Sequence, residues 1–196
     1  MSGQRSEILL QQAAHDAITA KTCESLPFES GGILLGYHED DRIVVTHALV
    51  VVTATATTNR YVRDDLQANA LLGEFLASRD PADPIGYIGE WHSHPGPSGP
   101  SSIDINTIRA TAKATGGSIA LVVCSPDNPT RFTGVVAKRQ RLGRLAIKDA
   151  TVSTPREEPV QLGRLPGGAV RGDGPVFISY RQSDGTPRAD ALEGLL

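Results

Sequence analysis

The stretch Ile85-Gly86-Tyr87-Ile88-Gly89-Glu90-Trp91-His92-Ser93-His94 decides how this chain folds. It follows Pro84 and runs into Pro95-Gly96-Pro97-Ser98-Gly99-Pro100, so a β-prone segment is bounded on both sides by chain breakers. The pattern predicts a strand that delivers its last residues to a loop. Side chains alternate faces along a strand, so His92 and His94 are expected to point the same way, close enough to grip one ion. Asp104 follows ten residues after His94, in Pro100-Ser101-Ser102-Ile103-Asp104. Two imidazoles and a carboxylate suit a catalytic Zn²⁺, which keeps its fourth tetrahedral position open for water. Such a site needs a base to take a proton from that water, and the best candidate lies far upstream at Glu29.

Working outward from this strand, the apolar spacing predicts a mixed α/β chain. Ile8, Leu9, Ala13, Ala17 and Ile18 recur at helical intervals and predict a first helix from about Ser6 to Thr22, with Ser6 as its cap. Segments 33–37 and 43–52 are expected to be strands joined by a hairpin turn at His38-Glu39-Asp40-Asp41. Thr53 to Asn59 is polar and β-prone, a strand end and loop. Leu66, Ala70, Leu71 and Phe75 form a stripe behind an aspartate start signal, which predicts a helix over 64–78. Another helix is expected from about Ile103 to Thr115. Ile119-Ala120-Leu121-Val122-Val123-Cys124 is an unbroken apolar run suited to a central strand, and 132–138 and 144–152 complete the strand set.

Composition narrows the classes. The chain has 196 residues, 39% hydrophobic and 21% charged, which is ample for one main domain with a sizeable core. A net charge of -3 gives no general reason to expect nucleic acid or an acidic membrane as partner. Two cysteines, Cys23 and Cys124, support neither a disulfide scaffold nor a thiolate zinc cluster and fit a reducing cytoplasm. The N-terminal segment lacks the pattern of a signal peptide, and no apolar run approaches the roughly 20 residues that span a bilayer.

Three motifs occur in a definite order: Glu29-Ser30-Gly31-Gly32-Ile33-Leu34-Leu35-Gly36, then Gly89-Glu90-Trp91-His92-Ser93-His94-Pro95, then Pro100-Ser101-Ser102-Ile103-Asp104. Together they resemble the JAMM (JAB/MPN) zinc metallopeptidases, most closely the prokaryotic JAB branch, over roughly residues 4–152. The resemblance implies a JAB/MPN fold, similar to cytidine deaminases: a mixed, curved sheet with helices on both sides and the metal at one edge. It implies that His92, His94 and Asp104 bind Zn²⁺, that Glu29 is the general base, and that Ser101 steadies the scissile carbonyl or its oxyanion. The expected activity is hydrolysis of a peptide or isopeptide bond, with a ubiquitin-like modifier or another peptide-tailed protein as substrate. A non-catalytic scaffold, or a regulatory module of a signalling protein, is the alternative. The interval from His94 to Asp104 is one residue shorter than the family pattern. Counting back from Asp104 therefore selects Ser101, and counting forward from His94 selects Ser102.

Each motif also has an ordinary reading. Ser101-x-x-Asp104 is a capping box in its own right, and a helix start can present a cap and a ligand together. His-x-His on a strand is by itself more often structural, as Glu29 beside Ser-Gly-Gly is more often an exposed turn carboxylate. His15, His38 and His47 are expected to be structural, and Cys124 a buried hydrophobe. The zinc deaminase reading fails for want of His-x-Glu and Pro-Cys-x-x-Cys. Residues 1–153 thus form the expected domain, and 154–174, rich in proline and glycine, a linker. In 175–196, Val176-Phe177-Ile178-Ser179-Tyr180-Arg181-Gln182-Ser183-Asp184 resembles the first strand and loop of a TIR domain.

Overall fold

Alternating burial along the strands sets the architecture of the computed structural model, which describes residues 6–40, 42–127, 130–139 and 144–154. The elements run β1 (Ser6–Leu10), α1 (Gln12–Ser25), β2 (Gly31–Glu39), β3 (Arg42–Val50), α2 (Asp65–Ala77), β4 (Gly86–Ser93), α3 (Ser102–Thr115), β5 (Ile119–Ser125), β6 (Arg131–Arg139) and β7 (Leu145–Ser153). The fold is mixed α/β with a curved sheet, as the sequence predicts. The expected linker beyond Thr154 and the TIR-like segment lie outside the described residues.

The first helix begins later than its periodicity predicts. Glu7 to Leu10 pairs in parallel with Arg42 to Val45 on one side, and Ser6 to Leu9 with Ala150 to Ser153 on the other. Ile8 and Leu10 are fully buried on one face of this strand. Long-range pairing thus satisfies the backbone where a local helix would have done so, and the short apolar run carries no signal to separate the two. The helix starts at Gln12, and Gln11 precedes it without a side-chain cap.

The sheet closes on itself in the order β1-β3-β2-β4-β5-β6-β7, with β7 returning to β1. It has no free lateral edge among the described residues, so the metal ligands sit at a strand end instead of the expected sheet edge. β1, β3, β4, β5 and β7 share one direction, and β2 and β6 oppose them.

Two faces follow from the period of two. Ile8, Leu34, Val45, Ile88, Val122 and Val136 turn towards Ala14 and Ile18 of α1. On the opposite face, Ile33 and Leu35 meet Ala68 and Leu72 of α2, while Leu121, Val123 and Val135 meet Ile108 and Ala112 of α3. Helices therefore cover both faces. Each fully buried aliphatic side chain of this kind contributes about 1.5–3 kcal/mol. Asp64 caps α2 by accepting from Gln67 N at 3.0 Å, which explains why the helix starts where the aspartate signal predicts.

Candidate metal centre

β4 carries one extra residue relative to β2: Leu34 pairs with Gly89 and Leu35 with Tyr87, leaving Ile88 over. Gly89 sits at φ 154, and a Cβ there would lie 2.0 Å from Ala120 O. Ile88 and Trp91 consequently both pack in the α1-facing core, and Glu90, His92 and His94 project from the opposite face. Gly31 pairs with His92, which sets the beginning of β2 beside the histidines. Ser93 N donates to Ser30 O at 2.7 Å, Ser30 N donates to Ser93 Oγ at 2.8 Å, and the two hydroxyls are 3.1 Å apart. Glu29, next to Ser30, is thereby held against the same strand end.

The three expected ligands converge. His92 Nε2 and His94 Nε2 are 3.0 Å apart, with Asp104 Oδ1 3.4 Å from the first and Oδ2 3.7 Å from the second. A tetrahedral ion bonded at about 2.0–2.1 Å would separate its ligand atoms by roughly 3.3–3.4 Å, so the spacing and the donor types fit one cation. These three residues could hold a metal ion. Asp104 reaches the site from the first turn of α3, where Ser101 Oγ accepts from Asp104 N at 3.2 Å and Ser101 N donates to Asp104 Oδ2 at 2.6 Å. The capping box and the ligand are the same aspartate. Burial pushes its carboxyl upward, but the hydrogen bond and charge of His92, together with Ser101, outweigh this and hold it at about 2. Burial, and then the neighbouring His92, lowers the pKa of His94, which favours the neutral imidazole a cation needs.

Glu29 is 8% exposed. Its backbone N donates to Thr57 O at 2.8 Å. Burial raises its pKa most; His92 opposes this and Asp104 adds to it. The Tyr61 ring lies on Gly31, where a Cβ would come within 2.5 Å of it. Residues 58–63 therefore form one wall of a cavity of about 680 Å³ whose lining includes Glu29, His92, His94 and Asp104. Ser101 lines this cavity, and Ser102 does not.

Sequence reasoning missed the polar cluster in that wall. Arg63 is 7% exposed, donates to Asp65 Oδ1 at 2.6 Å through Nη2 and to Glu90 Oε1 at 2.6 Å through Nη1. Tyr87 Oη also donates to Glu90 Oε1, at 3.1 Å. Glu90 was visible as a carboxylate two residues before His92 on the same strand face; Arg63 carried no comparable signal. His15 and His47 pack against Phe132 and Phe75, away from the cavity.

A histidine pair at the end of a bulged strand, an aspartate at a capped helix start and a curved mixed sheet define a JAB-like domain with a candidate metal centre. The family described as prokaryotic homologs of the JAB domain matches residues 11–137, more than half of the chain, and the chain belongs to that family. A solution structure of a Desulfitobacterium hafniense protein is similar to it, with a TM-score of 0.54 at 18% identity over 76% of this chain and 95% of the other. That likeness concerns the fold. Among curated proteins nothing matches.

Proposed function

We propose that the chain is a zinc-dependent metalloprotease that hydrolyses peptide or isopeptide bonds, with the C-terminal tail of a ubiquitin-like or similar modifier as substrate. One observation carries this reading: Glu29 opens into the same cavity as His92, His94 and Asp104. His92, His94 and Asp104 would hold the Zn²⁺, which would supply Lewis acidity to activate water and polarise a carbonyl. Glu29 takes the proton of the attacking water and passes it to the leaving amine. Its burial makes it a stronger base than an exposed carboxylate, which suits that exchange. The Ser30–Ser93 bonds hold the residue next to it. Ser101 Oγ accepts from Asp104 N, which leaves its own hydrogen free to stabilise the developing oxyanion.

On the same reading, residues 1–153 are the hydrolytic unit and residues 175–196 begin a TIR-like unit, a view supported by the motif Val176 to Asp184. The test is cleavage of a ubiquitin-like fusion by the full chain, with and without a chelator, and by Glu29→Gln. Activity should vanish with the chelator and fall about 10²–10⁴-fold in Glu29→Gln while zinc binding persists. Cleavage that survives both treatments sinks the proposal. Zinc uptake without cleavage of any modifier-like fusion would favour the scaffold alternative.

A further inference from the structure

The shortened segment between His94 and Ser101 is fixed to the end of β5. Ser125 Oγ donates to Ser98 O at 3.3 Å, and Ser98 N donates to Gly96 O at 2.8 Å. His94 N donates to Cys124 O at 2.9 Å, so loop and histidine are fastened to adjacent residues of one strand. Cys124 and Ser125 are both buried, at 0% and 2% exposure, which makes that strand end a firm support. The result is that Ser98 Oγ stands 2.7 Å from His94 Nδ1.

A neutral imidazole has one N–H and one lone pair, and the hydrogen bond made by one nitrogen decides which role the other takes. When Nδ1–H donates to Ser98 Oγ, the lone pair lies on Nε2. That is the atom facing His92 Nε2 at 3.0 Å and Asp104 Oδ2 at 3.7 Å. The geometry points to Ser98 as a positioning residue for the metal: it holds the ring of His94 with Nε2 turned towards His92 and Asp104, and its hydroxyl can accept from Nδ1–H when Nε2 binds a cation. Removing the hydroxyl takes this side-chain partner from Nδ1 and leaves the ring freer to turn. The contracted loop then serves a purpose, since its path is what returns a hydroxyl to the histidine it follows. This rests on the metal-centre reading and not on hydrolysis.

Zinc affinity of the full chain, measured by competition with a chromophoric chelator, tests it in wild type, Ser98→Ala and Ser98→Thr, alongside the melting of each metal-free protein. Ser98→Ala should bind zinc about tenfold more weakly, the lower end of the usual effect of losing a histidine's outer partner. Ser98→Thr, which keeps the hydroxyl, should bind as wild type does, and the three metal-free proteins should melt alike. Unchanged affinity in Ser98→Ala overturns the inference. So does a lowered metal-free melting temperature in Ser98→Ala that accounts for the affinity loss, because the serine would then only shape the loop. Failure of the wild type to take up zinc would overturn the metal centre and this role together. Absence of proteolysis would leave the zinc titration and what it decides unaffected.

Discussion

The hydroxyl of Ser93 accepts a hydrogen bond from the backbone N–H of Ser30 at 2.8 Å, so the residue between the two histidines holds the residue that follows Glu29. Ser93 is 1% and Ser30 6% exposed, and neither has water to replace the other. Ser93→Ala leaves a buried N–H and a buried hydroxyl without this partner. The expected cost is about 1–3 kcal/mol, read from urea unfolding. Zinc affinity should be nearly unchanged, because both imidazoles keep their strand, whereas cleavage should slow as Glu29 loses its alignment.

The Arg63–Glu90 pair joins the segment before α2 to β4, and Asp65 takes the second arm of the guanidinium. The Arg63 side chain is 5% exposed and that of Glu90 13%, so truncating one partner leaves the other poorly solvated. Arg63→Ala should destabilise the protein by about 3 kcal/mol. Replacing Arg63 and Glu90 together with Met and Leu should recover most of that loss. A double variant no more stable than Arg63→Ala would show that the pair contributes through something other than charge compensation.

Ser101 and Ser102 separate cleanly in the structure. Both are exposed, but Ser101 caps α3 and lines the cavity, and Ser102 does neither. Ser101→Ala should lower stability by about 1 kcal/mol through the lost cap. It should also cut the turnover number about 10²–10³-fold as the lost oxyanion donor, leaving KM much less affected. Ser102→Ala should change neither. Equal kinetic effects from both substitutions would remove the assignment.

Gly89 combines φ 154 with a backbone oxygen that a Cβ would strike at 2.0 Å. Gly89→Ala must therefore move β4 away from β5 or undo the bulge at Ile88. A loss of more than about 2 kcal/mol is expected, together with weaker zinc binding, because the bulge decides which face the histidines take. Thermal melting with and without zinc measures both.

The two cysteines differ in reactivity. Burial raises the Cys124 thiol to about 11, against a smaller opposing contribution from Thr22, while Cys23 is exposed. The thiolate is the nucleophile, so at pH 8 a disulfide reagent should label one thiol in the folded chain and two in denaturant. Labelling of Cys124 before unfolding would contradict its burial.

Much of the site was legible because its geometry is local. His92 and His94 share a face by strand alternation, and Asp104 by the helix that Ser101 starts, so short spacings carried both. Glu29 lies sixty-three residues before His92 and was reached through motif order alone. What brings it into place is the Gly31–His92 register, a pairing no local pattern encodes. The fold divides in the same way. Asp64 announced α2, and the apolar run at Ile119 announced β5, but β1 carries a helical spacing and its true partners lie at Arg42 and Ala150. Arg63 stayed hidden for the same reason: its meaning depends on Glu90, on another element.

The common direction of β4 and β7 brings the end of the last strand to the histidines' end of the sheet. β7 ends at Ser153, at the same end of the sheet as His92. A probe attached at Ser153 through a short flexible linker would therefore meet the histidines as an intramolecular partner, at an effective concentration on the order of millimolar.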